Sequence, residues 1–491
     1  MIRMPARPAS PLPRPALAAA LAGLVLLAGC AVGPDYRRPD VATAAAGFKE
    51  AGAEWRPAQP NDAVERGAWW QLFGDAQLDA LVQQLQISNQ TIAAAQARYA
   101  QARALVAEQR ASLFPTIDLS ASVTRSGNKS SSGVVTGGTV SSGGGVRNTY
   151  QASLGASWEP DVWGRIRRNV ENAAASAQAS AADLAAARLS AQGELVTNYL
   201  SLREADAELA LLRFTVDGYE RALAIARNRY QAGVAPRTDL LSAQSQLYSA
   251  QADLEGVQRT RATLEHAIAV LLGKAPADFT LAPADWNGVV PEVPLLLPSE
   301  LLQRRPDIAA AERSVAAANA SVGIAQAAWF PSLPLSASYR SSASHLRDLF
   351  DSSSLIWSLG ASATETLLDF GARKAQVAQA RAAYDVAVAD YRQTTLAAFQ
   401  DVEDQLSAAR VLERQHALRE QASAVADENE RLILNQYRAG QISFSEVVVA
   451  QASAASARRA LVQSALDRQT TAVALIQALG GGWHAESARA E

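Results

Sequence analysis

The residues of this chain that could carry out chemistry are few, and they lie far apart. Cys30 is the one cysteine among 491 residues, and the four histidines show no ligand spacing to one another or to that thiol. The glycines at 143–145 lack the Lys-Ser/Thr that completes a phosphate-binding loop, and no nucleophile elbow occurs. We therefore expect no enzymatic activity, no metal site and no bound cofactor. The histidines are His266, His345, His416 and His484.

Two short stretches instead place carboxylates at matched positions. "NRYQAGVAPRTDLLSAQ" and "NQYRAGQISFSEVVVAQ" lie 207 positions apart and share a tyrosine, a glycine and an acid. Each glycine suits the end of one helix, because helices commonly end on a left-handed residue. Each acid suits the start of the next helix, near the positive end of its dipole, and Ser443 has capping-box spacing to the second acid. The matched pairs are Tyr230 and Tyr437, Gly233 and Gly440, and Asp239 and Glu446.

These two corners belong to an internal duplication of the chain. The same separation of 207 relates Gly164 to Gly371, whereas the Phe-Pro pairs at Phe114 and Phe330 are separated by 216. The first copy therefore carries nine extra residues, within the Ser/Gly-rich run "SGNKSSSGVVTGGTVSSGGGVRN", whose composition suits a flexible loop. The chain consists of two copies of one unit.

Each copy is predicted to contain one long helix and two short ones. From about Gly164 to Tyr230, 16 of 18 positions at alternating spacings of four and three are apolar, which is typical of a coiled-coil seam. At 1.5 Å per residue this helix is about 100 Å long. The second copy keeps the seam from Val377 to about Leu412 and then weakens. The short helices, predicted at about 76–113, 238–272, 300–330 and 445–479, have the lengths to stack end to end beside the long ones.

Four alternating runs between the helices predict β-strands, at about 115–125, 149–159, 331–341 and 354–364. Their length and alternation suit a membrane barrel with a lipid face and a wet lumen, although soluble hairpins show the same period. Four strands cannot close a barrel, and an open edge in lipid leaves backbone groups unpaired. If these strands enter a membrane, several chains must share one barrel, and a trimer provides twelve strands.

The N-terminus has the pattern of a lipoprotein signal. Arg3, Arg7 and Arg14 precede the apolar run "ALAAALAGLVLLAGC", which is too short for a transmembrane helix. We expect cleavage before Cys30 and acylation of its thiol; the alternative is an ordinary signal peptide with an incidental cysteine. The formal charge of −3 provides no basic field, so nucleic acid is not an expected partner.

Several segments together resemble the TolC-like outer membrane factors, in particular the lipoprotein branch that serves multidrug efflux pumps. The resemblance covers essentially all of residues 30–480. It rests on "CAVGPDYRRP", "WWQLFGDAQLDALV", "LLQRRPDIAAAERSVAAANASVGIAQAAWFPSLPLSAS" and "YRQTTLAAFQDVEDQL". It implies a mixed α/β, mostly α fold, in which long coiled-coil helices form an α-helical barrel and four strands per chain enter a trimeric, twelve-stranded outer-membrane β-barrel.

The resemblance also implies function, partners and location. The expected function is that of an exit channel passing drugs or other small toxic compounds from a periplasmic adaptor (membrane fusion protein) and an inner-membrane RND transporter to the exterior. The chain would be a homotrimer in the outer membrane, in contact with its lipid, and would extend into the periplasm. Residue 31, an alanine rather than an aspartate, implies sorting to that membrane. Two alternatives are the exit duct of a type I protein-secretion system and a structural periplasmic coiled-coil lipoprotein.

The predicted organisation follows the duplication. It comprises a lipoprotein signal peptide (1–29), a lipid-anchored N-terminal segment (30–75), a first repeat (76–273), a Pro-rich equatorial linker (274–299), a second repeat (300–480) and a C-terminal tail (481–491).

Under the resemblance, the two corners ring the periplasmic mouth, where they form both the gate and the docking surface for the adaptor. Tyr437 and Asp239 match family positions linked to holding the gate shut, and Glu446 matches an acid that lines the constriction. Carboxylates in a narrow pore attract cations and titrate. The family prototype has an arginine in the second corner, where this chain has Ile442, and the nearest basic residues in sequence are Arg438 and Arg237. Helix capping alone is the competing interpretation of both acids.

Overall fold

A computed structural model describes residues 32–40, 48–51, 68–127, 146–291, 293 and 305–481. Most of these residues are helical, as predicted. The α-helices are α1 (Ala76–Ser88), α2 (Gln90–Ala111), α3 (Arg165–Gln231), α4 (Arg237–Leu271), α5 (Pro306–Ala327), α6 (Ala372–Arg438) and α7 (Phe444–Ala478). The strands are β1 (Thr116–Gly127), β2 (Val146–Trp158), β3 (Leu335–Ala343) and β4 (Leu355–Ala361).

The chain divides into two compact units, and each takes residues from both sequence copies. The first unit comprises the described residues within Met1–Arg38, Ala102–Ala177 and Ser314–Ala387, and therefore contains the sheet. The second comprises those within Pro39–Gln101, Gln178–Arg313 and Val388–Glu491. Among the described residues, no helix combines the length and apolar composition that crossing a membrane requires.

The long helices show how closely the two copies agree. Both α3 and α6 contain 67 residues, and α4 and α7 both contain 35. The seam that weakens after Leu412 in the sequence therefore does not shorten α6, which continues to Arg438.

The first short helix departs from the prediction of one continuous element over 76–113. It breaks at Asn89, which takes an extended conformation (φ −67°, ψ 124°). The Asn89 side-chain oxygen accepts a hydrogen bond from the Ile92 amide at 2.9 Å, and its amide group donates to the Leu271 carbonyl at 2.7 Å. At the corresponding position of the second copy, Arg305 donates to the Ala478 carbonyl at 3.1 Å. Both copies thus attach the start of a short helix to the end of the helix that closes the repeat.

The four strands form one antiparallel sheet in the order β1-β2-β3-β4. Leu154 of β2 lies opposite Leu119 of β1 on one side and Tyr339 of β3 on the other. β3 begins at Leu335 rather than near 331, because Pro334 has no N–H to donate to a ladder. Its carbonyl still accepts from the Ser362 amide at 3.1 Å. The sheet has β1 and β4 as its two edges, and neither edge has a partner strand among the described residues.

The apolar side chains of the two edge strands are exposed rather than packed. Leu119 is 80% exposed and Leu359 is 77% exposed. A water-soluble sheet normally buries such a face against a second layer, so this one has the character of a membrane or protein contact surface. The exposed apolar residues of β1 and β4 are Ile117, Leu119, Val123, Ile356, Trp357 and Leu359.

A buried charge cluster holds the second unit together around Asp206. The Asp206 carboxylate accepts from Arg203 at 2.8 Å and from Arg261 at 2.6 Å, so it joins α3 to α4. Arg203, only 2% exposed, also donates to the Gln77 side chain at 2.6 Å and the Ala282 carbonyl at 2.9 Å. One carboxylate and two guanidinium groups therefore connect three helices and the segment that follows α4.

Asp206→Asn should lower the free energy of unfolding by about 3 kcal/mol, because it leaves two arginines without their anionic partner in a buried site. The measurement is denaturant unfolding of the detergent-solubilised protein. Asp253→Asn is the matched control, since Asp253 is half exposed and lies 3.6 Å from Arg459, where an ion pair contributes under about 1 kcal/mol. Equal losses in the two variants would contradict this role for Asp206.

Glu204 is a second buried acid on α3, 8% exposed. Among the described residues, the nearby Arg459 pairs with Glu208 instead. The pKa of Glu204 is raised to about 7; burial is the largest cause, the nearby Glu208 and Asp467 add to the increase, and Arg459 opposes it. The folded chain therefore holds this proton more tightly than the unfolded chain. The contribution of Glu204 to stability is therefore fully present below a pH of about 4.5 and is lost as the pH rises through about 7.

Glu204→Gln should remove this pH dependence, because the amide does not titrate. The wild-type protein should lose up to about 3 kcal/mol of stability between pH 4.5 and pH 8, and the variant should lose correspondingly less. Melting temperatures across this pH range provide the measurement. Glu220→Gln, at an exposed position of the same helix, should follow the wild-type curve; a Glu204→Gln curve parallel to both would refute the assignment.

Candidate functional site

Both corners are built by the same helix-ending hydrogen bonds. At the end of α3, the Gly233 amide donates to the Tyr230 carbonyl and the Val234 amide donates to the Arg229 carbonyl, each at 3.0 Å. At the end of α6, Gly440 and Gln441 repeat this pair of bonds, which defines a Schellman motif. Gly233 has φ 75° and Gly440 has φ 74°, a left-handed conformation that glycine adopts at low cost. Apart from the adjacent residues, no atom lies within 4 Å of a Cβ built on either glycine. Glycine is therefore needed for its positive φ and not because a side chain would lack room.

The two acids lie in the first turns of the following helices, Asp239 in α4 and Glu446 in α7. Glu446 is exposed and Asp239 is partly buried. The capping box predicted for Ser443 and Glu446 is wrong, since the Ser443 side chain makes no capping hydrogen bond. Its hydroxyl instead lies 2.6 Å from the Ser445 hydroxyl. Glu446 is therefore left as a solvent-accessible carboxylate.

The structure places the two matched tyrosines in different environments. Tyr437 is 3% exposed, and its ring lies 5.4 Å from that of Phe444, with 59° between the two planes. Both rings pack against Ala226 and Ala243 of the first copy, so the two corners of one chain share an apolar cluster. Tyr230, in contrast, is 41% exposed.

Arg229 is the basic residue that the sequence analysis missed. Its guanidinium lies 4.7 Å from the centre of the Tyr437 ring, and its Nη1 donates to the Tyr437 carbonyl at 3.1 Å. This contact joins the end of α3 to the end of α6. Proximity in sequence pointed to Arg438 and Arg237, whereas Arg229 lies in the other corner, 208 positions away. Only the pairing of the two corners in space could have identified it.

The charges around Tyr437 favour a neutral phenol. Burial raises the pKa of the Tyr437 hydroxyl, the negative charge of Asp239 adds to that increase, and Arg229 opposes it. Arg229 and Tyr437 are thus in direct contact, and Asp239 is close enough for its charge to act on Tyr437. Glu446 and Tyr230 are exposed. The corner can thus form a contact surface with carboxylates beside a rigid aromatic cluster.

Cys30, the predicted lipidation site, lies outside the described residues, but the segment that follows it is placed by Arg168. The Arg168 guanidinium donates to the Val32 carbonyl at 3.3 Å, to the Gly33 carbonyl at 3.2 Å and to the Asp35 carboxylate at 3.1 Å. Gly33 has φ 106°, and a Cβ there would lie 2.4 Å from the Cα of Gly323. The chain after Cys30 therefore fits closely against α3 and α5, and only glycine allows this approach.

Comparisons with known proteins identify the family. A family described as outer membrane efflux protein matches residues 81–274 and 297–481, in close agreement with the two sequence copies.

Individual relatives match nearly the whole chain. The chain is 31% identical over 470 residues to the probable efflux pump outer membrane protein TtgC of Pseudomonas putida, covering 95% of each chain. It is also 31% identical to the outer membrane protein OprJ of Pseudomonas aeruginosa, covering 93% of this chain and 94% of OprJ.

Solved structures show the same fold. The outer-membrane channel OprN superposes with a TM-score of 0.83 at 31% identity, covering 92% of this chain and all of that one. The open-state MtrE outer membrane channel of Neisseria gonorrhoeae superposes with a TM-score of 0.79 at 29% identity, covering 92% of this chain and 98% of MtrE. The chain therefore belongs to the outer membrane efflux protein family, and it is an outer-membrane efflux channel.

Proposed function

We propose that three copies of this chain form the lipid-anchored exit duct of a tripartite efflux system, in which a periplasmic adaptor and an inner-membrane RND transporter deliver the cargo. The observation that carries this proposal is the four-stranded sheet with two free edges and exposed apolar side chains. Backbone groups at such edges cost several kcal/mol each in lipid when they are unpaired. Three chains give twelve strands, which closes the sheet and leaves no edge.

The relatives' own descriptions support a proposal for the class of cargo. Relatives in Pseudomonas putida are described as an antibiotic efflux pump protein and a toluene efflux pump protein. We infer that this channel passes small amphiphilic or apolar compounds. Such a passive duct transports along the gradient that its partners maintain, so the pump supplies the energy.

The helix corners are the proposed gate and adaptor-docking surface. Tyr230 and Glu446 are the accessible members of this site, and they offer an aromatic ring and a carboxylate to a partner or to the pore. The contact between Arg229 and Tyr437 holds the two corners of a chain together. Moving the corners apart would disrupt the contact between Arg229 and Tyr437, which makes this pair a latch for the gate.

Gly440→Pro should abolish export while leaving the trimer intact. Proline fixes φ near −65° and has no N–H, so it cannot adopt φ 74° or donate to the Tyr437 carbonyl. The measurement is the accumulation of ethidium in cells that carry the variant as their only copy, with trimer content followed on gels. Gly74→Pro is the matched control, because Gly74 also has a positive φ of 65° and donates to the Gln71 carbonyl, but it lies outside the corners.

Normal ethidium export by Gly440→Pro trimers would show that the corner has no part in transport. An equal defect in Gly74→Pro would show that any backbone disruption impairs export.

Cys30→Ser should abolish incorporation of radiolabelled palmitate, because it removes the thiol that receives the lipid. Cys30 is the sole cysteine, so no second thiol can replace it. Membrane fractionation of the same cells should still recover the variant in the outer membrane if strand insertion alone retains it. Undiminished palmitate labelling would refute acylation at this position.

A further inference from the structure

The inference concerns the surface through which neighbouring chains meet, and it rests on the proposed trimer. Within one chain, a residue just after the first hairpin (β1–β2) contacts a residue just before the second hairpin (β3–β4). The Trp163 ring stacks on the Phe330 ring with 4.9 Å between centres and 24° between planes. The Trp163 indole N–H also donates to the Pro331 carbonyl at 2.8 Å. This aromatic pair lies where β2 ends and β3 is about to begin.

The two copies repeat this region residue by residue. Each pair of opposed residues in β1 and β2 has a counterpart in β3 and β4. Adding 216 to the number of the β1 residue and 207 to the number of its β2 partner gives two residues that are opposed in β3 and β4. Ser120 and Ser153, for example, become Ser336 and Gly360, which are paired in the sheet. The same shifts carry the last pair of the first hairpin, Thr116 and Ser157, onto the bridge between Ser332 and Thr364. The duplication therefore holds at the level of individual backbone partners.

The same shifts identify what the aromatic pair becomes at the other end of the chain. Adding 207 to Trp163 gives Phe370, which follows the second hairpin. Subtracting 216 from Phe330 gives Phe114, which precedes the first hairpin. Neither residue is buried within its own chain: Phe370 is 93% exposed and Phe114 is 68% exposed. Each member of the Trp163–Phe330 pair thus has a counterpart in the other copy. The two counterparts, Phe370 and Phe114, are exposed and do not stack on each other within one chain.

Phe370 has a further property that distinguishes it from other exposed aromatics. Its φ of 51° is positive, and among the described residues it is the one non-glycine residue with a positive φ. A bulky side chain rarely takes this conformation, which persists where surrounding structure determines it. Leu367 and Leu368, 92% and 71% exposed, flank it and extend the apolar surface.

We propose that Phe370 of one chain stacks on Phe114 of the neighbouring chain, as Trp163 stacks on Phe330 within a chain. The same shifts of 207 and 216 convert the β2–β3 register within a chain into a register between β4 of one chain and β1 of its neighbour. Leu154 lies opposite Tyr339 in the sheet, so Ala361 of β4 lies opposite Val123 of the neighbouring β1. Likewise, the pair Ala156 and Ala337 becomes Ala363 and Ala121 of the neighbour. The partner that this surface fits is a second copy of the same chain, and the contact recurs three times around the barrel.

Cysteine cross-linking tests the register with four alanines. Directly opposed residues of an antiparallel pair have the Cα separation that a disulfide needs. A121C/A363C should give multimers that survive boiling in SDS and disappear on reduction. A156C/A337C is the matched control, because its two positions are paired within one chain and should yield a monomer with an internal disulfide. The single variants A121C and A363C show whether either new cysteine forms a cross-link with Cys30.

Aromatic substitutions test the stacked pair. Phe370→Ala should lower the temperature at which the trimer dissociates, and Phe370→Trp should preserve that temperature. Adding Phe114→Ala to Phe370→Ala should lower it no further, because the two residues form one contact. Phe350→Ala is the matched control. Phe350 is 79% exposed in the same unit, and it is not part of the proposed contact between chains.

The outcomes separate this inference from the proposed function. Reducible multimers from A121C/A363C together with a destabilised Phe370→Ala trimer support the interface. A stable trimer with no cross-link, or with Phe370→Ala equal to Phe350→Ala, would overturn the interface and leave the proposed trimer standing. A protein that never forms trimers would overturn both.

Discussion

The unpaired backbone groups along β1 and β4 are the constraint on which the rest of this structure depends. A sheet of four strands satisfies its internal N–H and C=O groups but leaves one row of them free at each edge. Water can satisfy such groups, and hydrocarbon cannot. A chain that presents these edges together with exposed leucine, isoleucine and tryptophan side chains is therefore incomplete by itself in a bilayer. Oligomerisation is the proposed solution, and the exit duct is its consequence.

The internal duplication explains how one chain can supply a self-complementary surface. Because both copies have the same strands and helices, the contact made between copies inside a chain can be made again between chains. This accounts for residues that match in sequence but differ in environment. Tyr437 is buried beneath Arg229, whereas Tyr230 is exposed. Trp163 stacks on Phe330, whereas Phe370 stacks on no aromatic ring within the described part of the chain. In the proposed trimer, a second chain supplies the aromatic neighbour that Phe370 lacks.

Regular periodicity made much of this fold predictable from sequence. The heptad spacing located α3 within one residue at each end, and two-residue alternation located all four strands. These patterns predict the elements correctly because buried side chains recur about every 3.6 residues along a helix and every second residue along a strand. The corners were predictable for a related reason: the glycines at 233 and 440 mark left-handed positions that few other residues accept.

What the sequence did not reveal depends on contacts between distant segments. The break at Asn89 exists because its side chain reaches Leu271, 182 positions away, and no local rule distinguishes this asparagine from one inside a helix. Ser443 has the spacing of a cap but bonds to Ser445 instead. Arg229 and the Arg203–Asp206–Arg261 cluster likewise acquire their roles only when separate helices pack. Polar pairs of this kind carry no periodic signal.

The most direct test of this account is the mass and symmetry of the intact particle extracted from the outer membrane in mild detergent. Native mass spectrometry combined with electron cryomicroscopy measures both. The expected particle contains three chains related by three-fold symmetry, with twelve strands in one closed barrel inside the detergent belt. A monodisperse monomer whose sheet retains two open edges would contradict it.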